Sequence, residues 1–187
     1  MHPSSARWLL IGAQLIAAAA TIEYAMGRSP ICPCGTIRLW QNEVMSPENS
    51  QQIADWYTLS HIVHGLIFYA ALAAAAPRLA LAPRALIALT VEIAWEIAEN
   101  TPWVIDRYRA ATIALDYFGD SILNSVSDML AMLVGFWLAA RLPAWAAVVL
   151  ALGLEALALA VIRDNLTLNV LMLLYPLQSI RDWQAAG

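Results

Sequence analysis

The sequence is short of charge and contains no lysine. Charged residues fill only 13% of its 187 positions, against about a quarter in an ordinary soluble domain. With apolar residues at 61% and a mean hydropathy of +0.63, one soluble core cannot absorb the apolar surface, whereas a bilayer can. All ten basic residues are arginines, they form no stripe, and the net charge is -4. No run of cations is available to release phosphate counterions, so nucleic acid is excluded as a partner and membrane lipid is expected. There is no internal repeat and no low-complexity linker, so residues 1–187 read as one integral membrane domain. What the chain does have is eight tryptophans, a residue that favours the membrane–water interface.

Stretches of about 20 apolar residues mark membrane-spanning helices. They fall near 8–26, 56–76, 84–100, 120–140 and 144–162, with Pro77, Pro102 and Pro143 as stops. A shorter apolar stretch, 166–180, contains Asn169 and Pro176 and reads as a sixth, thin span or as an interfacial or re-entrant helix. The expected fold is therefore all-α, a transmembrane bundle of five or six spans, with residues 27–55 as an extramembrane loop. The Ala17–Ala20 run is also compatible with a cleaved signal peptide. A weak positive region and a long apolar stretch favour a retained span. Arginines divide almost evenly between the two sides. Arg7 ahead of the first span and the two cysteines in the long loop favour a cytoplasmic N-terminus.

Successive spans alternate in direction. The start of the second, the end of the third, the start of the fourth and the end of the fifth therefore share one membrane side. Those ends hold nearly all the unusual polar residues. Glu92, Glu96 and Glu99 are four and three residues apart, one stripe on one helix face. Asp116, Asp120, Asn124 and Asp128 repeat at four, and His61 and His64 share a face. Glu92 sits about 10 Å deeper than Glu99, at 1.5 Å per residue. Charges at that depth face the bundle interior, pair with one another or line a wet cavity. A polar pocket open to one side is expected.

Several chemistries fit this set. Glu96, Glu99, Asp120 and Asp128 are candidates for acid–base work, since crowded carboxylates push one proton affinity upward. His61 and His64 are candidate ligands for a divalent metal. Two familiar spacings are missing: His-Glu-x-x-His of helical zinc sites, and Glu-x-x-His of di-iron bundles. Arg107, Arg109 and Arg163, with Asn124, are candidates to hold a substrate phosphate or carboxylate. Structural alternatives stand beside each. The glutamate stripe pairs with Arg107 and Arg109, Asp120 caps the fourth span, Asn124 and Asp128 bond between helices, and Glu155 pairs with a neighbouring helix. Cys32-Pro33-Cys34 is a redox or soft-metal candidate, although ring strain opposes so short a disulfide and no third cysteine exists to resolve a mixed one.

Longer motifs carry a resemblance. Cys32-Pro33-Cys34-Gly35, Asp55 to His61 with His64-Gly65, Glu92 to Asn100 (EIAWEIAEN), Arg107-Tyr108-Arg109, Asp116 to Ser121, Asn124-Ser125, Asp128 and Arg163 to Asn169 resemble an uncharacterised, mostly alphaproteobacterial family of inner-membrane proteins. The resemblance spans most of residues 30 to 185. It implies a multi-pass inner-membrane location and no particular activity. A weaker likeness is to VanZ-like membrane proteins, in the order Asp55/His61, Glu92/Glu96/Glu99, Gly119-Asp120 and Asp128. It implies architecture only, and His64 and the Cys-x-Cys loop depart from it. Three readings remain for the pocket: a site that binds or processes a polar or lipid-derived small molecule, a proton-coupled transporter, and an accessory membrane subunit.

Overall fold

The structure is a computed structural model describing residues 3–112, 114 and 116–186. Eight helices follow one another, with no strand among the described residues: α1 (Pro3–Ala25), α2 (Thr58–Ala75), α3 (Leu81–Glu99), α4 (Pro102–Ala111), α5 (Ile122–Arg141), α6 (Ala144–Ile162), α7 (Leu166–Leu174) and α8 (Gln178–Ala185). Four are long and apolar enough to cross a membrane: α1 from Ala6, α2, α5 and α6. A helix of 19 residues such as α3 rises about 28 Å, and it differs from those four in carrying Arg84, Glu92, Glu96 and Glu99. The helix α6 presents apolar side chains all round, and Trp145, Val149 and Leu152 are exposed. Such a surface is matched by lipid rather than water.

The five long segments expected from the apolar runs all appear, shifted by a few residues at their ends. Two elements go beyond the sequence reading. The first is α4, where Thr101 accepts from the Val104 N–H as N-cap and Pro102 occupies the first turn, a helix-start signal. The second is the break of 166–180 at Tyr175, giving α7 and α8. Helix α7 begins beside the middle of α6. Glu155 there accepts from the Leu166 and Thr167 N–H groups, each at 3.0 Å, so the lone glutamate of α6 satisfies the first turn of α7 beside its N-cap, Asn165.

Helices α2 and α5 run in the same direction and make the tightest pair. Two glycines permit it. A Cβ at Gly65 would strike the Met132 carbonyl, and one at Gly135 would strike the Ile62 carbonyl. Small residues bring backbones this close in membrane bundles. Beyond this contact lies an apolar core of Ala19, Ala88, Leu89, Met129, Met132 and Phe136 from α1, α3 and α5.

At the polar end, the segment 27–57 is stitched across the start of α5. Ser121 N–H donates to the Ser50 carbonyl and Ile122 N–H to Ser29, at 3.0 and 2.9 Å. The Asn124 side chain donates to the Gln52 carbonyl at 3.0 Å. Cys32 and Cys34 within this segment are joined as a disulfide, Cα to Cα 5.1 Å. Of the readings open for the pair, the structure has the bridged one.

Candidate functional site

A cavity of about 130 Å³ opens at the polar end. Helix α2 lines it with Ser60, His61 and His64, α3 with Trp95 and Glu99, and α5 with Asn124 and Asp128. Asp120 and Tyr117 come from the α4–α5 connection, Tyr108 and Thr112 from α4 and its end, and Asn169 from α7. The segment 27–57 adds Asn49, Ser50 and Tyr57. The alternation of span direction thus brings His61, His64, Glu99, Asp120, Asn124 and Asp128 around one space.

Beneath it lies a buried cluster. The Glu92 carboxylate accepts from Nδ1 of His61 at 2.6 Å and from Nδ1 of His64 at 3.1 Å. Glu96 Oε1 stands 3.4 Å from His61 Nδ1, and Asp128 Oδ2 stands 3.8 Å from His61 Nε2. Glu92 and Glu96 are almost completely shielded, at 0% and 1% exposure. The glutamate stripe faces the bundle interior, as the spacing requires. Two oxygens of the cluster, Glu96 Oε1 and Asp128 Oδ1, have no hydrogen-bond partner. One ligand atom each from His61, His64 and Glu92 lies within 4.8 Å of the others, a grouping able to hold a metal. Cys32, Cys34 and Glu48 form a similar group, but its two sulfurs are spent in the disulfide.

The mouth is built differently. Asp120 accepts from the Asn100 amide at 2.9 Å and from the Tyr117 hydroxyl at 3.1 Å. Burial pushes its pKa up to about 7, against the pull of those hydrogen bonds. Asp55 accepts from the N–H groups of Ser50 and Tyr57 at 2.9 and 2.8 Å, so it folds the segment 27–57. Asp164 accepts from Tyr57 Oη at 3.1 Å, and burial raises its pKa to about 6. Tyr108 donates to Asn169 at 2.8 Å.

Some expectations need correction. Asp120 is not the cap of α5; Ser121 is, accepting from the Asn124 N–H. Residues 116–121 are not helical, so the Asp116-to-Asp128 repeat is not one stripe, and Asp116 is exposed. The reason is Gly119, whose φ of +93° turns the chain ahead of α5. The arginines do not reach the glutamate stripe. Arg107 Nε donates to the Leu173 carbonyl at 2.8 Å, Arg109 Nε to that of Tyr117, and Arg163 Nη1 to that of Trp183 at 2.9 Å. None of the three lines the cavity.

The sequence reading missed Tyr57, Tyr108, Tyr117, Trp95 and Asn169 as lining residues. Their signal was slight, polar-tipped aromatics within the polar ends. It also passed over Glu23 in the last turn of α1, fully buried with both carboxylate oxygens unpartnered.

Residues 23–186 match the family described as a protein of unknown function, DUF2585. The chain belongs to that family. Similar relatives are UPF0314 proteins of alphaproteobacteria. That of Paracoccus denitrificans is 63% identical over 86% of this chain and 83% of the relative. That of Sphingopyxis alaskensis is 54% identical over 95% of each chain. That of Rhizobium meliloti is 52% identical over 97% and 92%. No solved structure matches. The resemblance drawn from the motifs therefore holds for the uncharacterised family, which brings no activity with it.

Proposed function

We propose that this protein is a five-span inner-membrane protein whose one-sided pocket binds and acts on a small molecule bearing hydroxyl or amine groups, delivered from lipid or from the periplasm. The spans are α1, α2, α3, α5 and α6, with α7 re-entrant and α8 at the interface. A nine-residue helix such as α7 rises only about 14 Å, half of a hydrocarbon core. The disulfide between Cys32 and Cys34 supports a periplasmic pocket side and a cytoplasmic N-terminus, because such bonds persist in oxidising compartments.

One observation carries the substrate class. The cavity is lined by Glu99, Asp120 and Asp128 together with two histidines, three tyrosines and a tryptophan, and by no arginine among the described residues. Carboxylates and phenols accept from hydroxyls and ammonium groups, and aromatic faces attract cations. Its three carboxylates repel a phosphate. A specific observation also weighs against the carrier reading. The polar series ends at Glu92, and Leu89, Met132 and Phe136 fill the next layer of the bundle. His64 stacks on Phe68 at 5.7 Å between ring centroids. An apolar floor offers no proton path across the bilayer.

The test is thermal unfolding of the detergent-solubilised chain with ethanolamine, choline, glycerol and inorganic phosphate. Ethanolamine, choline or glycerol is expected to raise Tm with a concentration dependence that Asp128→Asn weakens about tenfold, the loss of one charged hydrogen bond. Stabilisation by phosphate alone would sink the reading.

A further inference from the structure

We propose that His61, His64, Glu92 and Glu96 form a binding site for one divalent transition-metal ion of the zinc class, with Asp128 fixing the His61 ring from behind. The inference builds on the pocket reading, since His61 and His64 line that cavity.

Charge is the first argument. Glu92, Glu96 and Asp128 crowd around His61 inside the bundle, all nearly shielded from solvent. Among the described residues, no arginine pairs with any of them; only the two histidines do. Several carboxylates in a low-dielectric interior demand cations, either protons or a metal. Two imidazoles bonded to one carboxylate are the usual donors of a nitrogen–oxygen metal site.

Geometry is the second. Ligand atoms at zinc bond lengths lie about 3.3 Å apart. His64 Nδ1 to Glu92 Oε2 is 3.1 Å and His61 Nδ1 to Glu96 Oε1 is 3.4 Å. His61 Nδ1 to Glu92 Oε1, at 2.6 Å, opens by under about 1 Å as the ion takes the place of the shared proton. In each neutral ring the proton now held between Nδ1 and Glu92 moves to Nε2, so one N–H bond breaks and another forms as the Nδ1 lone pair and the carboxylate bind the metal.

The unpartnered oxygens are the third and independent argument. Glu96 Oε1, 1% exposed, has no hydrogen-bond partner and faces the His61 nitrogen. It stands outside the grouping of His61, His64 and Glu92 and reaches the ion by a side-chain movement as the fourth ligand, giving a two-nitrogen, two-oxygen set. Metal on Nδ1 leaves the proton on Nε2 of His61. Asp128 stands on that side at 3.8 Å, also with an unpartnered oxygen. A carboxylate accepting from the far nitrogen of a ligating histidine is the common outer-shell support of such sites. The orphaned Glu96 oxygen thereby acquires a role that the metal-free hydrogen bonds leave empty, while Asp128 turns Oδ2 towards the ring.

The test uses the full chain in detergent, purified without a histidine tag. Metal content is read by elemental analysis, and Co²⁺ is titrated while its visible d–d absorption is followed. The expected result is about one ion per chain. His64→Gln and Glu96→Gln are expected to weaken Co²⁺ binding about 10- to 100-fold, with helical content unchanged by circular dichroism. Absence of stoichiometric Zn²⁺ or Co²⁺ binding overturns the inference. So does an affinity that neither variant alters. Ethanolamine stabilisation measured in chelator-treated protein keeps the two readings apart. Ligand binding without stoichiometric metal overturns the metal site and leaves the pocket. One metal per chain without any ligand stabilisation upholds the metal site and removes the pocket reading.

Discussion

The mouth of the cavity and the cluster beneath it are both acidic, yet their carboxylates are used in opposite ways. At the mouth and in the shell around it, Asp120, Asp55 and Asp164 are met by backbone N–H groups, by Asn100 and by tyrosine hydroxyls. Each has neutral donors, so each holds the fold together. One layer deeper, Glu92 is met only by histidines, while Glu96 and Asp128 keep oxygens with no partner. Burying a polar atom without a partner costs stability. Glu96 and Asp128 bear that cost side by side, as Glu23 does at the end of α1. Acidity alone does not separate the two layers; the supply of donors does.

The contrast can be broken by substitution. The largest effect is expected at the mouth. Asp55→Ala strands the Ser50 and Tyr57 N–H groups in a buried position and should cost about 3 kcal/mol, read as a lowered Tm in detergent. An unchanged Tm would erase the distinction between the layers. In the deeper layer, Glu96→Gln in chelator-treated protein replaces an unpartnered carboxylate by a neutral amide. It should stabilise by about 1 kcal/mol, and a loss of similar size would mean that Glu96 is structural too. The smallest effect at neutral pH is a slope. The folded pKa of Asp120, about 7, lies above the ordinary 3.8, so the native state holds the proton more tightly. Its contribution to stability is complete below about pH 4 and is lost as pH rises through about 7. Asp120→Asn should flatten the decline of Tm over that window. A decline of unchanged steepness would assign the slope to other groups.

Part of this was legible from the residues in order. The 4-and-3 spacing of Glu92, Glu96 and Glu99 announced one inward face, and alternating spans put that face beside His61 and His64. Helix α4 was obscured because Pro102 read as a stop, although Thr101 and Pro102 also mark a start. The Asp116–Asp120 spacing imitated a helix turn that Gly119 forbids. The arginines looked like anion holders because of the side they occupy. In the fold each donates one N–H to a carbonyl, tying α4 to α7 and to the loop before α5, and the end of α6 to α8.

By itself, the sequence determined how apolar the long helices are and the end of the bundle at which polar groups collect. Both follow from composition and from a helical period that is local to each segment. The tertiary structure alone decided which acids are satisfied and which stand bare. Asn100 reaches Asp120 across 20 residues, Glu92 reaches His61 across 31, and Tyr57 reaches Asp164 across 107. A hydrogen bond depends on a separation near 3 Å, and spacing along a helix states a direction without saying what has been packed there.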